Sequence, residues 1–228
     1  MADSPARPDP GSAPEEAYSA APFVPRRADL AALRSAAADC RGCPLHGAAT
    51  QTVFGSGEAG ARLVLVGEQP GDQEDRQGRP FVGPAGKVLA RALDEAGIDP
   101  AEAYITNAVK HFKFELVPAR GKRRIHQAPN LRELTACRPW LAAELRLIGP
   151  EMVVALGATA GKALLGPSFR VSRQRGVLLP CPELDGYQPS GDCVVATIHP
   201  SAVLRADDRD AVYQGLVSDL RVVARALG

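Results

Sequence analysis

Four short runs of β-branched and apolar residues, alternating with longer stretches of helical spacing, constrain this chain more than any other feature. The runs are Arg62 to Val66 (RLVLV), Ala103 to Thr106 (AYIT), Met152 to Leu156 (MVVAL) and Cys193 to Ile198 (CVVATI). Helical spacing appears in Val88, Leu89, Ala92, Leu93 and Ala96, and again from Leu131 to Leu147, Ala158 to Leu165 and Ala211 to Ala226. Strands that are apolar throughout are covered on both faces, and strands alternating with helices are joined by crossovers. The pattern predicts a single α/β domain, three layers α/β/α, around a central, mainly parallel four-stranded sheet. A chain of 228 residues with 45% hydrophobic content can bury such a core. The first 22 residues are rich in Pro, Ala, Ser and acidic residues. A disordered tail over residues 1–29 is expected to precede a domain over 30–228. The start lacks the basic and apolar regions of a secretory signal, and no run approaches the roughly 18 to 20 apolar residues that span a bilayer. A cytoplasmic location is expected.

In such sheets, ligands bind beyond the carboxyl ends of the strands. The first strand runs into Gly67 to Asp75 (GEQPGDQED), the second into Asn107 and a basic loop, the third into Gly157-Ala158-Thr159, and the fourth into His199-Pro200-Ser201. The GEQPG turn has neither the GKS or GKT of a Walker loop nor a GxGxxG pattern. Its Gly and Pro residues let backbone N–H groups face a small planar ligand, while Glu68, Gln69 and Asp72 add acceptors and donors. A tight turn with solvated carboxylates is the alternative. In the loop from Lys110 to His126, Lys110, Lys113, Arg120, Lys122, Arg123 and Arg124 face a single acid, Glu115. The net charge of the whole chain is only +1, so any attraction for phosphates is local to such a cluster. A solvated basic loop is the alternative.

Five cysteines, an odd number, in a chain expected to be cytoplasmic argue against a disulfide framework. Cys40 and Cys43 form a CxxC preceded by the helical pattern LAALRSAAAD rather than by a strand. That argues against a thioredoxin-like redox pair and favours a metal site over merely buried or redox-active cysteines.

With GEQPGDQED, Arg79 to Gly86 (RPFVGPAG), Thr106 to Phe114 (TNAVKHFKF), Lys122 to His126 (KRRIH) and His199 to Arg205 (HPSAVLR) in this order, the chain resembles the uracil-DNA glycosylase superfamily. Within it the chain is similar to the UdgX class, which resembles the family-four iron–sulfur enzymes and carries the additional KRRIH loop. The likeness runs from Leu30 to the C-terminus. It implies excision of uracil from DNA. A uracil taken out of the stack needs a ring to stack on and hydrogen bonds to its edge. The resemblance implies Phe81 for the ring, with Asn107 and the backbone of Gly67, Pro70 and Gly71 for the edge. His199 would stabilise the leaving base by an oxyanion-type hydrogen bond.

In the UdgX class the histidine of KRRIH attacks C1′ of the sugar and stays attached, which implies that role for His126. Glu68 would orient its imidazole and take its proton, and Gln69 and Asp72 would hold the turn, the loop or a water. The implied product is a covalent protein–DNA complex made in a single turnover. The implied cofactor is a 4Fe-4S cluster on Cys40, Cys43, His111 and Cys137, with His111 where family-four enzymes have a cysteine. Zinc is the alternative for the same ligands. Cys181 and Cys193 match no ligand position and are expected to be structural. Expected DNA contacts are Lys110, Lys122, Arg123, Arg124, Ser201 and Arg205. The expected partner is uracil-containing, single-stranded DNA, bound by a monomer away from any membrane. Two alternatives stay open: a conventional multiple-turnover uracil-DNA glycosylase of base excision repair, and a non-catalytic module that only holds DNA.

Overall fold

A computed structural model describes residues 18–117, 123–184, 186–187 and 192–228. In chain order the elements are α1 (Leu30–Ala38), β1 (Leu63–Gly67), α2 (Asp72–Gln77), α3 (Pro84–Ala96), β2 (Ala103–Asn107), β3 (Phe114–Val117), β4 (Arg123–His126) and α4 (Leu131–Ile148). They continue with β5 (Met152–Leu156), α5 (Gly157–Leu165), α6 (Val171–Gln174), β6 (Leu178–Pro180), β7 (Asp192–Thr197), α7 (Pro200–Arg205) and α8 (Arg209–Leu227). The main sheet has the order β2-β1-β5-β7-β6. Its first four strands are parallel, and β6 runs antiparallel along β7.

Successive side chains of a strand point to opposite faces, and here each face meets its own helices. Val64, Val66, Val153, Ala155, Val194 and Ala196 pack with residues of α1, α4 and α5. Leu63, Leu65, Met152, Val154, Leu156 and Val195 pack with residues of α3, α7 and α8. The three-layer α/β/α domain is therefore as the alternating pattern predicts, but the sheet has five strands rather than four. The additional strand is three residues long and ends in Pro180, which suits an edge and is too short to leave a periodic signal.

Two further expectations are corrected. Part of the tail expected over residues 1–29 is anchored to the domain: Ala20 is buried, and its N–H donates to the Ala136 carbonyl on α4 at 2.8 Å. Residues 1–17 lie outside the described residues. Cys181 and Cys193, placed outside any disulfide by the sequence argument, are joined, with their Cα atoms 4.9 Å apart. The β6–β7 pairing brings them together, since Pro180 opposes Asp192. No helix among the described residues is long and apolar enough to cross a membrane.

Candidate active site

The carboxyl ends of β1 and β2 lie side by side, with Gly67 paired to Asn107. Above them opens a cavity of about 500 Å³ lined by Glu68, Gln69, Gly71, Glu74, Phe81, Ala85, Asn107, His126, His199, Ser201 and Arg205. Gly67 lies behind this lining: a Cβ there would strike Asn107 Oδ1 and the Phe81 ring. Phe81 has φ +55°, the only positive value among described residues other than glycine. Such a backbone costs on the order of 1–3 kcal/mol and persists only where its surroundings impose it. Gly86 makes room for it, because a Cβ at that position would collide with the Phe81 carbonyl. The ring is thereby held 6.0 Å from that of His199 at an interplanar angle of 29°.

His199 caps α7, with Nδ1 accepting the Ser201 N–H at 3.2 Å. Arg205 Nη1 donates to Ser201 Oγ at 3.0 Å, so the hydroxyl proton is free to go to His199 Nδ1, 2.8 Å away. With Nδ1 an acceptor, the neutral ring carries its proton on Nε2. Burial first, then the positive charges of Arg205 and His126, lower the His199 pKa from its ordinary 6.5 to about 4. His199 is thus a neutral N–H donor, suited to developing negative charge.

Opposite it, Nε2 of His126 lies 3.3 Å from Glu68 Oε1, with the histidine side chain 48% exposed and the carboxylate 21%. The other oxygen of Glu68 accepts from the Thr159 hydroxyl at the start of α5. His126 ends β4, which pairs with β3 so that His126 opposes Phe114. The basic loop is therefore an antiparallel ribbon on either side of residues 118–122. Gln69 fastens its base: Oε1 accepts the Lys113 N–H at 3.1 Å, and Nε2 donates to the carbonyls of Lys113 and Gln127 at 3.2 and 2.9 Å. Glu74 joins two turns beside the cavity, accepting the N–H groups of Gly71 and Gly83 at 3.1 and 2.7 Å.

Several expected site residues stand elsewhere. Asp72 does not line the cavity; it accepts from Arg124 Nε at 2.5 Å and from Arg76 Nε at 2.9 Å. Arg124, expected on DNA, is occupied by Asp72 and by buried Asp75 (2.6 Å) and lies over the rings of Phe112 and Phe114. Lys110, also expected on DNA, is fully buried against Glu144, because its side chain turns inward between β2 and α4. Ser201 and Arg205 line the cavity and hold His199. Pro70 is buried and is not among the lining residues. Arg123 is exposed, and Lys122 lies outside the described residues. Thr159 and Glu144 escaped the sequence argument. The strand-end rule pointed to the neighbourhood of Thr159 but not to its hydroxyl, and a Glu inside an amphipathic helix carries no signal of burial.

A model of the uracil DNA glycosylase superfamily matches residues 54–221. The chain belongs to the uracil DNA glycosylase superfamily. It is 38% identical to the type-4 uracil-DNA glycosylase of Thermotoga maritima over 167 residues, covering 73% of this chain and 78% of that protein. It is 35% identical over 180 residues to the type-4 enzyme of Pyrobaculum aerophilum (78% and 85% covered) and 31% over 193 residues to that of Archaeoglobus fulgidus (83% and 88%).

In this superfamily member the thiols of Cys40, Cys43 and Cys137 are all free and buried. Burial pushes the Cys137 thiol up to about 12, with Lys110 opposing the rise and the neighbouring Cys43 and Cys40 adding to it. The Lys110 N–H donates to Cys137 Sγ at 3.3 Å, and Trp140 Nε1 donates to Cys40 Sγ at 3.2 Å. His111 is held near pKa 4 by burial, reinforced by His46. Its Nε2 is 2.9 Å from Thr52 Oγ1, whose own proton goes to the Ala37 carbonyl. Nε2 therefore donates, and Nδ1 keeps a lone pair for a ligand. No three His, Cys, Asp or Glu side chains among the described residues converge on one point as ligands of a single ion would.

Proposed function

We propose that this protein is a uracil-DNA glycosylase that cleaves the N-glycosidic bond of uracil in DNA and keeps the sugar on His126. The observation that carries the proposal is the His126–Glu68 pair, 3.3 Å apart, lining the same cavity as Phe81, Asn107 and His199. Uracil stacks on Phe81, and Asn107 with the backbone of the Gly67 to Gly71 turn meets its edge. The C1′–N1 bond breaks with its electron pair going to uracil, where the His199 Nε2–H stabilises the negative charge. A lone pair of the His126 imidazole forms a bond to C1′, and the carboxylate of Glu68 takes the ring proton. Lys122, Arg123 and Arg205 meet phosphates of a single strand.

Cys40, Cys43, His111 and Cys137 would hold a 4Fe-4S cluster. A cluster takes one ligand per iron, so its ligands surround a volume rather than a point. The three buried thiols share one neighbourhood, and a tetrahedral zinc ion is the second candidate for the same ligands. Such a cluster would supply a clamp between His111, which precedes β3, and Cys137, on α4 after β4. The His111 lone pair on Nδ1 suits the fourth ligand position.

Uracil release counted against protein tests the proposal. A plateau at one uracil per protein molecule is expected. Continued release marks a conventional multiple-turnover enzyme, and no release marks a module that only binds DNA.

A further inference from the structure

The Lys110 ammonium is fully buried, and desolvating such an ion costs several kcal/mol unless its protons are all taken. All three are. Nζ donates to Glu144 Oε2 at 2.5 Å, to Thr106 Oγ1 at 2.7 Å and to the Asn107 backbone carbonyl at 2.7 Å. Glu144, equally buried, accepts further from Tyr104 Oη at 2.8 Å, Thr106 Oγ1 at 2.9 Å and the Gly55 N–H at 3.2 Å. The network is closed, and an apolar pair of similar volume would pack the same space without desolvating two charges. What an apolar pair could not supply is an acceptor for Tyr104, Thr106 and the Gly55 N–H and, on the side of the cavity, a donor to the Asn107 carbonyl.

That carbonyl stands at the point where β2 ends and the chain turns against the end of β1. The turn returns Ala108 N–H to the Gly67 carbonyl at 2.9 Å and Val109 N–H to the Glu68 carbonyl at 3.0 Å. One turn thus fixes the backbone beneath both Asn107 and Glu68. Lys110 anchors the far end as well, its N–H on Cys137 Sγ and its carbonyl accepting the Val53 N–H at 2.8 Å.

We infer that Lys110, with Glu144, is a positioning residue for the uracil site: its ammonium holds the Asn107 carbonyl and so sets the turn carrying Asn107 against Glu68. The inference rests on the glycosylase function proposed above. It predicts a split between chemistry and DNA affinity, because the phosphate contacts lie elsewhere.

The test is single-turnover uracil release as a function of protein concentration, for the wild type and the Lys110→Met/Glu144→Leu double variant, with melting temperature and iron content measured alongside. The double variant leaves no buried charge without a partner but takes the acceptor from Tyr104 Oη, Thr106 Oγ1 and the Gly55 N–H, so its rate is read only on protein whose melting temperature shows it folded and whose iron is retained. Its maximal rate is expected to fall about ten- to hundredfold through misplacement of Asn107, at an unchanged half-saturating concentration. Equal maximal rates would overturn the positioning role. So would a parallel loss of iron and rate, which would assign the network to holding the thiol site. If the double variant does not fold, Lys110→Met/Glu144→Gln, whose amide oxygen still accepts from Tyr104, Thr106 and the Gly55 N–H while the donor to the Asn107 carbonyl is lost, takes its place. A slowed maximal rate supports the inference and an unchanged one overturns it. A wild-type protein that releases no uracil overturns the proposed function itself, and the positioning role with it.

Discussion

Arg124 and Asp72 meet at 2.5 Å, and this contact holds the neighbour of one proposed catalytic residue to the neighbour of another. Glu68 lies at the end of β1 and His126 at the end of β4, and the residues beside them grip each other on both sides. Asp72 and Asp75 take Arg124, while Gln69 takes the carbonyls of Lys113 and Gln127. The 3.3 Å approach of His126 to Glu68 is the outcome of these flanking contacts.

Removing the Arg124 guanidinium leaves buried Asp75 without its charged partner. Arg124→Ala is expected to cost about 3 kcal/mol and to lower the melting temperature by roughly 6–12 °C. It is also expected to slow attachment of DNA about a hundredfold through displacement of His126, while uracil release suffers less. Parallel assays of released base and attached DNA check both parts.

Gly67 has no room for a side chain. In Gly67→Ala the added methyl must move either the Asn107 amide or the Phe81 ring, the two groups proposed to hold uracil. Release is expected to fall by about a hundredfold or more in a protein that still folds. Circular dichroism beside a release assay measures it.

The depressed His199 pKa predicts a sign. Between about 4 and 6.5 the unfolded chain binds a proton at this residue and the folded chain does not. Stability from His199 is therefore fully present above 6.5 and is lost as pH falls toward 4. The wild-type melting temperature is expected to drop across that window, and His199→Asn to drop less steeply. NMR of the ring should show a proton on Nε2 at neutral pH and a titration midpoint near 4.

His111, a proposed ligand of the cluster, lies three residues before β3, which pairs with the strand that carries His126. Cys137→Ser is expected to lower the iron content and, with it, the rate of DNA attachment. A folded Cys137→Ser protein with undiminished attachment would refute the clamp.

The layered fold was legible because four apolar runs separated by helical periodicity admit few other arrangements. The β6 edge was not, since three residues cannot show alternation. At the site, Phe81, Asn107, Glu68, His126 and His199 were singled out by the resemblance to the superfamily, and the structure gathers all five around one cavity. What the sequence could not reveal was the direction of long charged side chains. Lys110 and Arg124 belong to a basic segment, yet one turns into the core toward Glu144 and the other into a pair of aspartates. A charge count along the chain records neither partner, because both come from other elements. The Cys181–Cys193 link was hidden for the same reason: it depends on a strand pairing that left no signal.

The most direct measurement is to incubate the protein with uracil-containing single-stranded DNA and run it on a denaturing gel beside His126→Ser. A heat- and detergent-resistant protein–DNA band that maps to the peptide containing His126, and is absent from His126→Ser, is the predicted result. Free uracil released by the wild type with no such band would contradict covalent capture and leave a glycosylase in which His126 only contacts DNA.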